Sequence, residues 1–206
     1  LARFMKEKKI YGKKVLIGRD TRPSGKMLLN SFCEGLKTHG FSGISAGILP
    51  TPALAFGVME KKMAMGVMIT ASHNPYQDNG FKFFSALGTK LSDSEEESIE
   101  KNILIKDVIP TIIEIQSVEI LNSYINYILE IFPRDLVKNK KIVIDLSNGA
   151  TQQTTPFVLK KLGAEIHPIN SGSGAINEGV GSENPQIMSQ KVREIKADFG
   201  IAHDGD

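Results

Sequence analysis

Short apolar runs alternate with amphipathic stretches along the whole chain, a pattern that builds layered α/β structure rich in parallel strands. Val15-Leu16-Ile17 predicts a strand running into Gly18-Arg19-Asp20, then a helix over about 24–37 with Gly40 just beyond its end. A strand over 44–48 precedes Thr51-Pro52, which reads as an N-cap followed by proline at the first helical position. Met65–Ile69 is a buried strand, and Phe81–Phe84 is the next. Ser92-Asp93-Ser94-Glu95 forms a capping box for a helix to about 102, whose Glu95, Glu96 and Glu97 read as a solvated first turn rather than a metal site. Leu1, Phe4 and Met5 recur at helical spacing among lysines, so the chain is expected to begin inside a helix, at an artificial or degraded N-terminus.

From 105 to 116 the pattern changes to β-branched alternation, and the transition between two units is expected there. A helix over 117–132, ending before Pro133, opens the second unit. A strand over 141–146, an Asn148-Gly149 turn and a helix over 156–162 closed by Gly163 follow. Then come a strand over 165–169, a Gly/Ser loop over 171–174, a helix over 185–195 and a strand over 199–202. No repeat of solenoid length interrupts this βαβα rhythm.

The loop after the Met65–Ile69 strand carries the chemistry. It reads Thr70-Ala71-Ser72-His73-Asn74-Pro75 and runs on to Asn79-Gly80-Phe81-Lys82, joining a nucleophile, a turn and a cation. On an extended backbone Ser72 and His73 point to opposite faces, which argues against a Ser-His dyad. The G-x-S-x-G elbow of esterases is also absent, since Thr70 and Asn74 stand two residues to either side of Ser72. A serine in a polar loop near a lysine suits a phosphoryl carrier better, because phosphoserine is dianionic near neutral pH and offers three acceptor oxygens. Such a group needs a cation.

The last strand delivers His203-Asp204-Gly205-Asp206. Glycine between the two aspartates lets the loop curl so that both carboxylates converge on one hard cation. Mg²⁺ suits this set, since it takes few protein oxygens and shares a phosphate oxygen readily. Taken singly, S-H-N-P and D-G-D each have an ordinary reading as a surface turn. Their joint occurrence at strand ends favours a site.

Arg19 and Arg22, also at a strand end, either face the phosphate as bidentate donors or form a structural ion pair with Asp20. His73 is assigned to hydrogen bonding with phosphate oxygens or the loop rather than to proton transfer. His203 lies near the metal but is a poor ligand for Mg²⁺. His39 and His167 read as structural, and Cys33 as core packing. The stretch 171–181 is either a phosphate cradle or a connecting loop.

With 206 residues, 41% hydrophobic and 23% charged, the chain is long enough for one or two domains with real cores. A net charge of +2 gives no basis for nucleic-acid binding. No apolar run is long enough for a membrane span, and one cysteine excludes an intrachain disulfide framework.

These residues together resemble the α-D-phosphohexomutases, and within them the bacterial phosphoglucosamine mutase branch. Thr70–Pro75 is similar to the phosphoserine loop and Asp204-Gly205-Asp206 to the start of the metal loop, which continues as D-G-D-G-D-R. Further matches are Gly18-Arg19-Asp20-Thr21-Arg22, Leu49-Pro50-Thr51-Pro52-Ala53, Gly88-Thr89-Lys90-Leu91, Asp145 to Ala150 and Ile176 to Ser182, with Val180 where that branch often has cysteine. The resemblance implies two α/β domains of the phosphohexomutase type, with mixed sheets sandwiched by helices. Residues 1–112 would be domain I, with the phosphoserine loop, and 113–206 domain II, with the start of the metal loop. It further implies catalytic roles for Ser72, Lys82 and His73, with Lys82 as acid or base toward a sugar hydroxyl. One Mg²⁺ would be held through Ser72, Asp204 and Asp206, with Arg19 and Arg22 as phosphate contacts. The expected partner is a phosphosugar in the cytoplasm, with no nucleic acid or membrane, and a homodimer is left open. A G-x-R-G-like motif before Leu1 and the third metal aspartate after Asp206 are missing, so a fragment with weak Mg²⁺ binding, a loosened terminal strand and no turnover of its own is expected.

Overall fold

The computed structural model describes residues 1–103, 114–172 and 174–206. The expected boundary between 112 and 113, most of the β-branched stretch and Ser173 of the Gly/Ser loop lie outside the described residues.

The first sheet has the order β4-β3-β1-β2-β5, with β1 Lys14–Arg19, β2 Ser42–Ile48, β3 Met65–Ile69, β4 Phe81–Ser85 and β5 Gln116–Ser117. All its pairs are parallel except β3 with β4. Alternation along β1 decides its layering, because successive side chains leave on opposite faces. Val15 and Ile17 join Phe4, Met5, Leu29, Cys33 and Ile99 under helices α1 Ala2–Glu7, α2 Gly25–Lys37 and α4 Asp93–Glu100. Leu16 instead joins Leu49, Leu54, Val58, Met68 and Ile120 under α3 Thr51–Glu60 and α5 Leu121–Ile131. Helices on both faces explain why every residue of β3 is buried, as its unbroken apolar run predicts.

The second sheet is a parallel trio, β7-β6-β8, formed by β6 Lys141–Asp145, β7 Glu165–Ile169 and β8 Phe199–Ala202. Ile142, Ile144 and Leu146 pack with Ala164 and Leu159, the last from helix α6 Thr155–Lys161. On β8, Gly200 leaves room for Met188 and Val192 of α7 Gln186–Ile195. Ile125 of α5 meets Val158 of α6, joining the helices of the two sheets.

Two expected boundaries move, and one short element is added. The helix placed over 117–132 starts at Leu121, because Gln116 and Ser117 pair with Ile44 and Ser45 as a short edge strand. The N-cap of α3 is Pro50, which puts Thr51 inside the first turn and frees its hydroxyl for another partner. A 3-10 turn, Ala150–Gln153, precedes α6. The Ser92 capping box forms as read, and Gly163 takes a φ of +98° just past the end of α6.

The turn after β6 touches the end of β8 backbone to backbone. Ala150 N–H donates to Gly205 O at 2.9 Å, and a Cβ on Gly149 would stand 2.4 Å from that oxygen. Gly149→Ala is therefore expected to destabilise the fold by about 1–3 kcal/mol, the usual cost of overpacking against a backbone that cannot yield. Urea denaturation of the two chains measures this.

Candidate active site

Ligand sites in open α/β sheets form beyond the carboxyl ends of the parallel strands, and the residues singled out above gather there. β1 delivers Arg19 to Arg22, β3 delivers Thr70 to Ser72, and β8 delivers His203 to Asp206. β4 returns antiparallel beside β3, so that Lys82 stands opposite Met68.

Ser72 is not extended. Its φ is +52°, a left-handed conformation that costs an L-residue about 1–2 kcal/mol. The loop around it is tied from below. Arg22, 1% exposed, donates from Nε to Asp20 Oδ2 at 2.9 Å and from Nη2 to Ser72 O at 2.8 Å and Asn74 O at 3.0 Å. Its Nη1 donates to Asp78 O at 2.9 Å and to Pro75 O. All five guanidinium N–H groups are thereby used within the protein. Burial pushes the Asp20 carboxyl up, against the hydrogen bonds and charge of Arg22 that favour its ionised form. Of the two readings of Arg22, the ion pair with Asp20 is the one the structure forms. Arg19 Nη1 donates to Asp20 O at 3.2 Å, and its side chain lies against Gly25.

Ser72, Asp204, Asp206 and Lys82 come together. Ser72 Oγ donates to Asp204 Oδ2 across a short 2.5 Å and lies 3.2 Å from Asp206 Oδ1. Lys82 Nζ stands 2.7 Å from Asp206 Oδ2, and the freed Thr51 hydroxyl donates to the same oxygen at 2.7 Å. Burial alone would raise the Asp206 carboxyl, but the hydrogen bonds from Lys82, Thr51 and Ser72, together with the Lys82 charge, hold it below the ordinary value of 3.8. Serine and aspartate oxygens converging in this way are hard donors that fit Mg²⁺, with the rest of its shell open to water and phosphate. Among the described residues no group of three or more His, Cys, Asp or Glu side chains forms a metal cluster, so a cation here relies on these few oxygens.

His73 is exposed, and its ring has no hydrogen bond to another described side chain or backbone group. His203 has its Nε2 buried without a partner among the described residues, and burial pushes its pKa down. It helps line a cavity of about 260 Å³ with Pro50, Tyr124, Thr151 and Asp206. His39 bonds within its own helix end, and His167 pairs with Glu165. Sequence reasoning missed Thr51 as an Asp206 partner. It also missed Asn177, whose Nδ2 donates to Ser72 O at 2.7 Å and Asn74 O at 3.0 Å. The misplaced N-cap hid the first, and a separation of 105 residues the second.

Because the folded Asp206 carboxyl lies below its unfolded value, it contributes stability that is present above that unfolded value and is lost as pH falls through the folded one. Asp206→Asn is expected to cost about 1–3 kcal/mol at neutral pH, with the gap to the parent closing as pH falls below the ordinary carboxylate value and through the lowered folded one. Chemical denaturation of both chains from acid to neutral pH checks this.

Residues 1–107 match the family profile "Phosphoglucomutase/phosphomannomutase, alpha/beta/alpha domain I". The chain is 45% identical over 206 residues to a phosphoglucosamine mutase of Natranaerobius thermophilus, an alignment covering 96% of this chain and 46% of that protein. It is 43% identical over 201 residues to the phosphoglucosamine mutase of Aeromonas salmonicida, covering 94% of this chain and 45% of that one. In three dimensions it is similar to a phosphoglucomutase/phosphomannomutase family protein from Burkholderia thailandensis, with a TM-score of 0.79 and 22% identity, over 100% of this chain and 47% of that one. The chain thus spans about half the length of the curated relatives it matches. With the domain I profile covering more than half of it and the fold agreeing throughout, the chain belongs to the phosphoglucomutase/phosphomannomutase family, the phosphohexomutases.

Proposed function

We propose that this chain carries the phosphoserine and the first metal carboxylates of a phosphoglucosamine mutase. That enzyme interconverts glucosamine 6-phosphate and glucosamine 1-phosphate for amino-sugar nucleotide synthesis in the cytoplasm. The observation that carries the reading is Ser72 Oγ within hydrogen-bond distance of both Asp204 and Asp206, with Lys82 on the second carboxylate. A serine held only for structure has no need of two carboxylates around its hydroxyl and a lysine on one of them. Relatives that bear the name phosphoglucosamine mutase support the choice of sugar.

In this reading phospho-Ser72 gives its phosphoryl group to a sugar hydroxyl. The bond from phosphorus to Ser72 Oγ breaks and one to the sugar oxygen forms. The resulting bisphosphate reorients, and Ser72 takes back the other phosphate. Mg²⁺ bound by Asp204, Asp206 and a seryl phosphate oxygen would offset charge as the phosphoryl group passes. We assign the proton of the sugar hydroxyl to Lys82 Nζ, which the Asp206 carboxylate holds in place: a neutral Nζ takes that proton as the phosphoryl group transfers, and a proton is returned to Ser72 Oγ as its bond to phosphorus breaks. Arg22 and Thr51 act behind these groups, one on the loop and the other on Asp206. His73, exposed above the loop, is assigned to hydrogen bonding with phosphate rather than to proton transfer.

The test is kinetic, on the protein that carries this chain with the further length found in its relatives. Ser72→Ala is expected to abolish interconversion of glucosamine phosphates, and Lys82→Met to lower kcat by about 10²–10⁴-fold, the usual contribution of a positioned acid or base. Glucose and mannose phosphates assayed alongside decide the sugar. Normal turnover by Ser72→Ala would remove the nucleophile from this account, and a Lys82→Met defect confined to KM would make Lys82 a phosphate clamp.

A further inference from the structure

The carbonyls of Ser72 and Asn74 are each held twice. Arg22 Nη2 reaches them from beneath at 2.8 and 3.0 Å, and Asn177 Nδ2 reaches the same pair at 2.7 and 3.0 Å. Arg22 belongs to the end of β1, in the first sheet. Asn177 belongs to the loop between β7 and α7, in the second.

The amide of Asn177 has one workable orientation. Ser147 Oγ donates to its Oδ1 at 2.7 Å. Turning the amide over would set Oδ1 against two carbonyl oxygens, so Nδ2 must face the loop. The residue itself is anchored at φ +62°, with its N–H donating to Ser147 O at 3.1 Å. Asparagine tolerates that conformation better than most side chains. Nearby, Gly181 N–H donates to buried Asp145 Oδ2 at 3.0 Å and Ser182 N–H to His203 O at 2.8 Å. The loop is thus tied to the ends of both β6 and β8. Asn177 also lies against the metal loop, since a Cβ on Gly205 would stand 3.0 Å from its Nδ2.

One side chain therefore touches both halves of the site. The direct bond from Ser72 Oγ to Asp204 needs the serine proton, which is gone while the phosphoryl group is attached. The bonds from Asn177 go to backbone oxygens and do not depend on that proton. Thr21 Oγ1 also links the sheets, by donating to Asn148 O at 2.7 Å, but it does not reach the nucleophile loop.

We infer that Asn177 is a positioning residue that holds Ser72 in register with Asp204 and Asp206 in both the free and the phosphorylated state. The inference rests on the phosphoserine reading of Ser72. It does not make Asn177 a substrate contact: the residue acts on the backbone that carries Oγ.

The experiment uses the protein carrying this chain at the length of its relatives, with glucosamine phosphate as substrate. Asn177→Asp keeps the shape and the tolerance for positive φ but loses both donors to the carbonyls. Asn177→Gly keeps the backbone conformation and removes the side chain. Both are expected to lower kcat by about 10–100-fold, the loss that small misplacements of reacting groups produce, with KM nearly unchanged. Rates are normalised to folded protein, at a temperature where circular dichroism shows each variant native. Ser72→Ala is run in parallel. If it is dead and both Asn177 variants turn over like the parent, or lose only KM, the positioning role is wrong while the phosphoserine reading stands. If Ser72→Ala itself turns over, both fall.

Discussion

The buried guanidinium of Arg22 is the interaction on which the rest of the site depends. A charge in a region that excludes water must be paired and fully hydrogen bonded, and removing a partner from such a pair costs about 3–5 kcal/mol. Arg22 meets that demand by gathering Asp20 and four carbonyls from residues 72 to 78 around itself. A polar loop outside any helix or strand is thereby tied at four carbonyls to one buried side chain. The strain at Ser72 is offset by the same bonds and by Thr70 Oγ1, which accepts from Ser72 N–H at 2.9 Å.

Once the loop is fixed, the two sheets meet across it. Asp204 and Asp206 approach Ser72 from the second sheet, while Thr51 and Lys82 of the first sheet close on Asp206. Glycine makes the approach feasible at two points, since Gly149 and Gly205 leave room where a side chain would strike backbone or Asn177. The chemistry then follows from charge. Two carboxylates, one ammonium and a serine oxygen form a set whose chemistry suits a hard cation and a phosphoryl group, and among the described residues no imidazole is hydrogen bonded to Ser72 as acyl transfer would need.

Much of this was legible in the sequence. The strands Met65–Ile69 and Glu165–Ile169 fall where the sequence places them, the first because an unbroken apolar run buried on both faces leaves a clear signal and the second because Gly163 and the Gly/Ser loop bound it. Ser72, Asp204, Asp206 and Lys82 stood out because polar residues at strand ends have few other reasons to cluster. What was hidden are contacts that topology alone creates. Thr51 was read as a cap because Thr-Pro has that local signature, yet Pro50 takes the position and the hydroxyl reaches a residue 155 places away. Arg22 at a strand end reads equally as a phosphate contact or as an ion pair with Asp20, and only the fold shows that its donors go to Asp20 and the loop carbonyls. The start of α5 was placed early because a two-residue edge strand carries almost no periodicity.

The central claim is that Ser72 carries the phosphoryl group. Its most direct measurement is mass spectrometry of the protein as isolated from cells, on the tryptic peptide running from Met63 to Lys82. The account predicts a fraction of that peptide with one added phosphoryl group, located on Ser72 by fragmentation and lost on incubation with excess hexose monophosphate. A peptide that never carries phosphate on Ser72, in protein that interconverts sugar phosphates, would contradict it.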